Sequence, residues 1–164
     1  MTSRSKSFTG KFVGSPLDHP AADQVAAFCY RQGDSGVQIL LVTSSRGRWI
    51  LPKGWPMAGH TAAEVAQEEA WEEAGVRKGV TSANPILSYR SIKRTKRRGT
   101  MFTRVSVHTI AVTEMSDDFP ESATRKRRWV TPAQAQALIC EDSLRAAFAD
   151  LVDHVETDSP ALLA

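Results

Sequence analysis

The sequence is poor in features that would mark a secreted, zinc-binding or membrane protein. It has only two cysteines, Cys29 and Cys140, with no CxxC spacing and no histidine cluster beside them. A zinc site is therefore not expected, and both thiols are predicted to be buried and reduced in a cytosolic, hence cytoplasmic, protein. No apolar run approaches the roughly 20 residues that a membrane-spanning helix needs, so no membrane association is expected.

Aromatic residues are also scarce, at 7%, and this bears on two basic clusters, KRTKRR at 93–98 and RKRR at 125–128. Basic runs suggest nucleic-acid binding. Binding to single strands, however, usually needs aromatic side chains interleaved with the bases, and none stand there. Nucleic acid is therefore not favoured as a partner, although non-specific RNA contact stays open. The net charge of +3 is small, and the separation of acidic and basic segments is the more informative feature.

The length and composition indicate one domain. A chain of 164 residues with 41% hydrophobic residues can bury a single core. Residues 1–20 are basic and rich in serine and glycine, and they lack the apolar stretch of a secretory signal. We predict a flexible N-terminal arm at 1–20, a domain at 21–156 and a C-terminal tail at 157–164.

Hydrophobic patterns and turn residues predict a mixed α/β domain with helices packed on the faces of a sheet. Strands are predicted at 25–31, 37–43, 86–91, 102–113 and 129–130. Helices are predicted at 61–74, 132–138 and 143–155. The basic segment 93–98 is predicted to be a hairpin loop, and 115–122 a further loop.

The predicted helix at 61–74 carries five glutamates, and no lysine or arginine stands between Lys53 and Arg77. On a helix, Glu69, Glu72 and Glu73 share one face, and Glu64 and Glu68 lie on another. Like charges at this spacing are destabilising, and so are acids near a helix C-terminus. A bound hard cation such as Mg²⁺ or Mn²⁺ is the simplest remedy. A solvated acidic surface helix is the alternative.

The boundaries of this helix are marked. Thr61 and Glu64 have the spacing of a capping box, and Gly75 stands at the position where a left-handed residue ends a helix. The preceding loop, LPKGWPMAG, holds two prolines and two glycines and is expected to turn rigidly. Rigid loops attached to a helix are common scaffolds for sites, so this observation favours a functional interpretation of the acids.

The segment from 54 to 76 resembles the box of the Nudix hydrolases. Matching positions are Gly54, Glu69, Ala70, Glu72, Glu73, Gly75 and Val76. His60 stands where the family has glutamate, and Glu68 stands where it has arginine. Beyond the box, VAAFCYR, ILLVTSSRGRWILPKG and VTEMSDDFPESATRKRRWVTPAQA are similar to the branch of diphosphoinositol polyphosphate phosphohydrolases and diadenosine polyphosphate hydrolases, over residues 24–140.

The resemblance implies an α/β/α sandwich with a mixed β-sheet and a loop-helix-loop motif. It implies that Glu69, Glu72 and Glu73 are the catalytic residues and bind Mg²⁺ or Mn²⁺, with Glu69 the leading candidate for activating the attacking water. The implied reaction is hydrolysis of a phosphoanhydride bond in a small polyphosphate. Residues that this reaction would use for substrate binding are Arg46, Arg48, Lys53, Gly54 and Arg125.

Several interpretations stay open at this point. The substrate could instead be an RNA 5′ end or a nucleoside triphosphate, and the chain could be a non-catalytic Nudix-like binding module. His60, Glu68 and Gly75 are assigned structural roles. We expect His60 and Glu68 to brace the loop against the helix as an acid–base pair of inverted polarity, with Glu64 as a substitute partner for His60.

Overall fold

The computed structural model of the protein describes residues 11–13, 22–97 and 99–158. Within these residues the strands are β1 (Lys11–Val13), β2 (Ala22–Gly33), β3 (Gly36–Thr43), β4 (Trp49–Ile50), β5 (Lys53–Gly54), β6 (Val76–Thr81), β7 (Leu87–Thr95), β8 (Gly99–Met115) and β9 (Arg127–Val130). The helices are α1 (Ala62–Ala74), α2 (Pro132–Leu138) and α3 (Asp142–Asp158). None of these helices is long and apolar enough to cross a membrane.

The strands of this part of the chain form one mixed sheet in the order β1-β7-β8-β2-β3-β4. Three short strands join it from the side: β5 pairs with β2, β6 with β8, and β9 with β3. The β1–β7 and β2–β8 pairs are parallel, and the other pairs are antiparallel. Because β7 and β6 follow each other along β8, the 17-residue β8 supports both of them.

Helices cover both faces of the sheet. On one face α2 and α3 pack on alternate residues of β2, β3 and β8, and Phe148 of α3 meets Phe28 of β2 edge-on, with ring centroids 5.2 Å apart. On the other face α1 packs on Val25, Ala27 and their neighbours. This alternation follows from β-branched and aliphatic residues that fill both faces of β2 and β3. The predicted α/β/α sandwich with a mixed sheet is confirmed.

The sequence did not predict β6, whose residues VRKGVT have no alternating pattern. Only Val76 is buried, and two register shifts interrupt the pairing with β8. This segment is therefore a strand because its backbone pairs with the long β8, and its own side-chain pattern does not predict one. Residues 93–95, predicted as hairpin loop, instead continue β7 and pair with the start of β8. The second thiol also differs from the prediction, since Cys29 is buried but Cys140 is exposed.

The predicted terminal segments fall mostly outside the described residues. Within the predicted N-terminal arm, Lys11–Val13 forms β1 and lies parallel to β7; the rest of 1–20 is not among the described residues. At the other end, α3 continues to Asp158, two residues past the predicted domain boundary at 156. Thr157 Oγ1 donates to the Asp153 carbonyl, and His154 Nε2 lies 3.0 Å from Asp158 Oδ2. These contacts extend the helix into the predicted tail.

Candidate active site

The acidic helix α1 begins and ends as its sequence indicates. The Thr61 side chain accepts a hydrogen bond from the Glu64 amide, and the Glu64 side chain accepts one from the Thr61 amide, which completes the capping box. Gly75 ends the helix with a φ of 72°, in the left-handed region that favours glycine. Small side chains at Ala66, Ala70 and Ala74 are fully buried, so α1 lies close to the sheet.

The two residues of β5 lie directly against the acids of α1. The Lys53 amide donates to Glu73 Oε2 over 3.3 Å. A Cβ atom at Gly54 would stand 2.0 Å from Glu69 Oε1, so no residue with a side chain fits there while Glu69 keeps its position. Gly54 is therefore needed because the Glu69 carboxylate occupies the space that a side chain would take.

All three acids of this face have raised pKa values. Burial raises the pKa of Glu73 to about 8, and the neighbouring Glu69 adds to the effect although Arg125 lowers it. Burial and the charge of Glu72 raise the pKa of Glu69. For Glu72, burial comes first and the charge of Glu68 second. Burial is the largest cause for all three, and a positive charge brought to the site would stabilise their ionised forms.

Arg125 supplies the base that α1 itself lacks. Its Nη2 donates to Glu73 Oε1 over 3.0 Å, its Nε to Glu121 Oε1 over 3.1 Å, and its Nη1 to the Thr43 carbonyl over 2.7 Å. Only 17% of the side chain is exposed, so these donors face the protein. The sequence predicted Arg125 as a substrate contact; the structure places its guanidinium on the carboxylate of Glu73.

Glu121 is a member of the site that the sequence analysis did not name. It stands in the loop after β8, its amide donates to the Glu72 carbonyl over 3.0 Å, and its charge raises the pKa of Glu69, Glu72 and Glu73. Its spacing of four residues from Arg125 is a recognisable acid–base spacing for one turn of helix. That spacing is visible in the sequence, although the loop prediction for 115–122 gives Glu121 no role in the site.

The other predicted substrate-binding residues have different surroundings. Arg46 and Arg48 are exposed in the turn between β3 and β4, where both amides donate to Ser44 Oγ. This turn follows Thr43, the residue whose carbonyl binds Arg125, so it lies beside the acidic cluster. Lys53 Nζ donates to Ser91 Oγ over 3.1 Å, so its amine points to β7 while its amide holds Glu73.

The brace predicted between His60 and Glu68 does not form as a hydrogen bond or ion pair in the described part of the chain. His60 Nδ1 lies 3.1 Å from the carbonyl oxygen of Ala58, and Glu64 is used by the capping box. The charge of His60 nevertheless contributes to the lowered pKa of Glu64, after the larger effect of the Thr61 hydrogen bonds. Since the helix begins at Ala62, His60 stays in the preceding turn and bonds locally.

The second group of acids has a separate environment. Glu64 and Glu68 line a groove of about 570 Å³ between α1 and β6. Arg77 and Lys78 line the opposite side of the groove. Arg77 and Lys78 pair with Glu114 of β8, at 3.8 and 3.4 Å, and the lining of the groove includes neither Glu69 nor Glu73.

A divalent cation fits the chemistry of the Glu73 cluster. Among the described residues no three histidine, cysteine or acidic side chains already converge at metal-binding distance. Both oxygens of Glu73 are engaged, one by Arg125 and one by the Lys53 amide. Each of these oxygens has a further lone pair with which it could bind a cation. The donor set suits it, because the buried Glu73 and the half-buried Glu69 and Glu72 are hard oxygen ligands with raised pKa values that gain from a positive charge.

Comparison with known proteins gives the family. The NUDIX domain family matches residues 22–151. Nudix hydrolase 12, mitochondrial, of Arabidopsis thaliana is 32% identical over 141 residues, covering 76% of this chain and 66% of that protein. Diphosphoinositol polyphosphate phosphohydrolase 2 of Rattus norvegicus is 28% identical over 130 residues, covering 76% of this chain and 67% of that protein. The chain thus spans about two thirds of the length of these relatives.

A solved structure shares the fold. The C. elegans Ap4A hydrolase binary complex superposes with a TM-score of 0.59 at 14% identity, covering 82% of this chain and 98% of that one. An α/β/α sandwich with an acidic loop-helix-loop packed on one face of its mixed sheet defines a Nudix-type domain. With the match over 22–151, the chain belongs to the Nudix family, whose enzymes act on phosphorus-containing anhydrides and generally use divalent cations. The family resemblance predicted from the sequence is confirmed.

Proposed function

We propose that this chain is a pyrophosphohydrolase that uses Mg²⁺ or Mn²⁺ to cleave a phosphoanhydride bond in a small polyphosphate. The observation that carries the proposal is the acidic face of α1, where Glu69 and Glu73 lie against the backbone of Lys53 and Gly54 and the charge of Glu72 acts on Glu69. Three carboxylates with raised pKa values are gathered there, and Gly54 leaves the space that one of them fills.

The residues of the cluster have separate tasks in this proposal. Glu69, Glu72 and Glu73 would hold the cation, which when bound lowers the pKa of water and neutralises phosphate charge. Glu69 is the leading candidate to take the proton from the attacking water, because its pKa is raised and it is only half-buried. Arg125 holds Glu73 in place, and the exposed Arg46 and Arg48 beside it are the candidates for phosphate contacts.

The substrate class is proposed from the relatives. Diphosphoinositol polyphosphates and diadenosine polyphosphates are the compounds in the names of the proteins that this chain resembles. Both are small, strongly anionic molecules with phosphoanhydride bonds, and they suit a site whose bases lie on a neighbouring turn. The RNA 5′ end and nucleoside triphosphates carry the same bond and belong in the same assay.

One panel assay tests the proposal. Phosphate release is measured with Mg²⁺ and with Mn²⁺ over the two favoured substrate classes, a capped or triphosphorylated RNA, and a nucleoside triphosphate. We expect turnover that needs a cation and that Glu72→Gln or Glu73→Gln reduces by at least about a hundredfold, a loss of the size found when catalytic groups are removed. Glu156→Gln, on the exposed face of α3, is the matched control and should keep full activity.

A non-catalytic binding module is the second candidate, because the brace between His60 and Glu68 is not formed. It predicts saturable binding of a polyphosphate with no turnover under any condition of the panel. Full activity in both the Glu72→Gln and Glu73→Gln variants would instead mean that the site has been assigned to the wrong residues.

A further inference from the structure

The C-terminal end of α1 concentrates negative charge. Glu69, Glu72 and Glu73 lie in its last two turns, and no basic residue stands in the last turn. The helix dipole adds partial negative charge at the same end, where its carbonyls have no partners within the helix. Arg125 donates to the carboxylates of Glu73 and Glu121 and to the Thr43 carbonyl, and to none of these helix carbonyls. Another group must therefore satisfy the helix end.

Arg127, the first residue of β9, is that group. Its Nη1 donates to the Ala74 carbonyl over 2.8 Å and to the Ser116 carbonyl over 2.7 Å. Its Nη2 donates to Asp117 Oδ1, and its guanidinium lies 4.9 Å from the centre of the Phe119 ring. Only 21% of the Arg127 side chain is exposed. One guanidinium therefore joins the last residue of the helix to the loop that follows β8.

The loop and the helix end are tied at two further points. The Ser116 amide donates to the Gly75 carbonyl over 2.8 Å, and the Glu121 amide donates to the Glu72 carbonyl over 3.0 Å. A Cβ atom at Gly75 would stand 2.4 Å from the Ser116 carbonyl oxygen and 2.6 Å from Arg127 Nη1. The junction is closed tightly, so a shift of Arg127 would move the last turn of α1 relative to Glu121.

We infer that Arg127 is a positioning residue for the acidic site: its guanidinium caps α1 and fixes Glu72 and Glu73 in relation to the loop that carries Glu121 and Arg125. This inference rests on the proposed function, since it concerns the placing of the same acids. Arg127 donates no hydrogen bond to the carboxylates of Glu69, Glu72 or Glu73 and, in the proposal, does not contact the substrate. It acts through the backbone of α1 and through Ser116.

The test is the affinity for Mg²⁺ measured by calorimetry, together with kcat, KM and Tm, in Arg127→Ala and Arg127→Lys. We expect the dissociation constant of Mg²⁺ to rise about 10- to 100-fold in Arg127→Ala, as is usual when a residue that orients metal ligands is removed. The loss should appear in kcat more than in KM, because substrate contacts are unchanged. A purely structural role would lower Tm and leave the affinity measured well below Tm unaltered.

A control variant and the conservative variant sharpen the test. Arg145→Ala removes a partly exposed arginine that pairs with Asp142 on α3, and it should leave the Mg²⁺ affinity as in the parent. Arg127→Lys keeps the charge but cannot join Ala74 and Ser116 with one planar group, so an intermediate affinity is expected. If Arg127→Ala does not fold, Arg127→Lys decides the question: a parent-like Mg²⁺ affinity at lower Tm would overturn the inference.

The two proposals can fail separately. If the unaltered chain binds no divalent cation and releases no phosphate, the proposed function is wrong and the role of Arg127 falls with it. If the unaltered chain binds Mg²⁺ and Arg127→Ala binds it equally well, only the positioning role is overturned.

Discussion

Binding of Mg²⁺ should release a proton at neutral pH, because the carboxyl of Glu73 is largely protonated there. With its pKa raised by burial to about 8, Glu73 carries about 0.9 of a proton at pH 7 and about 0.1 at pH 9. A carboxylate must be ionised to hold a cation, so binding displaces this proton. The raised pKa values of Glu69 and Glu72 act in the same direction.

Calorimetric titration of the metal-free protein with Mg²⁺, in two buffers of different ionisation enthalpy at one pH, measures the number of protons released. We expect about 0.9 or more at pH 7 and much less at pH 9. Because Mg²⁺ and the proton compete for Glu73, the apparent association constant of Mg²⁺ should rise about fivefold between pH 7 and pH 8, then level off. Glu156→Gln lies on α3, away from the acidic cluster on α1, and should release the same number of protons as the parent.

The reasoning would be refuted by tight Mg²⁺ binding at pH 7 that releases less than about 0.2 of a proton and does not change with pH. That result would mean that Glu73 is already ionised in the metal-free protein, so that the charge of Arg125 outweighs burial. Glu73→Gln provides the internal comparison, because the Mg²⁺ binding that remains in this variant should release fewer protons at pH 7 than Mg²⁺ binding to the parent.

Three more outcomes are expected. Gly54→Ala should fold with nearly the parent Tm but lose about a hundredfold in kcat/KM. The reason is that its Cβ would stand 2.0 Å from Glu69 Oε1 and displace that carboxylate. A fully active variant would show that Glu69 can move without loss of activity. The free energy of unfolding of the metal-free protein, measured in urea, should fall by a few kcal/mol as pH rises from about 5 to about 8. The reason is that the pKa of Glu73 is raised in the folded protein and is ordinary in the unfolded chain. Stability that rises over this range would contradict the raised pKa of Glu73. Phe148→Ala should lower the free energy of unfolding by about 3 to 5 kcal/mol in the same measurement, because it removes a buried ring that packs on Phe28. A loss below about 1 kcal/mol would show that the core closes around the cavity.

The fold was largely readable from the sequence because its central elements have strong local signals. Two helices, α1 and α2, begin with the same capping box, Thr61 with Glu64 and Thr131 with Gln134, and β3 is a run of buried aliphatic residues. The strand β6 was not readable, because its place depends on pairing with β8 and its own residues are mostly exposed. Local pattern predicts an element only where the element buries a regular face.

The site was predictable in its acids and less so in its bases. Helical spacing brings Glu69, Glu72 and Glu73 to one face, and this can be calculated from sequence alone. The partners come from a loop and strand about 50 residues away, and nothing in the spacing of RKRR shows that Arg125 meets Glu73 while Arg127 meets the end of α1. Tertiary contacts of this kind become visible only when β9 is seen beside β3.

The parallel pairing of β2 with β8 has a consequence for how the chain reaches its native state. Asp23 and Arg104, which are partners in this register and form an ion pair, are 81 residues apart in sequence. Closing so long a loop costs conformational entropy before the contact can stabilise the chain, and distant pairings of this kind slow folding. During synthesis, β2 can pair with β3 at once but must wait for β8 on its other edge. Until then Ala27 and Cys29 lie beside an unpaired strand edge, and an unpaired edge of this kind favours association with other chains.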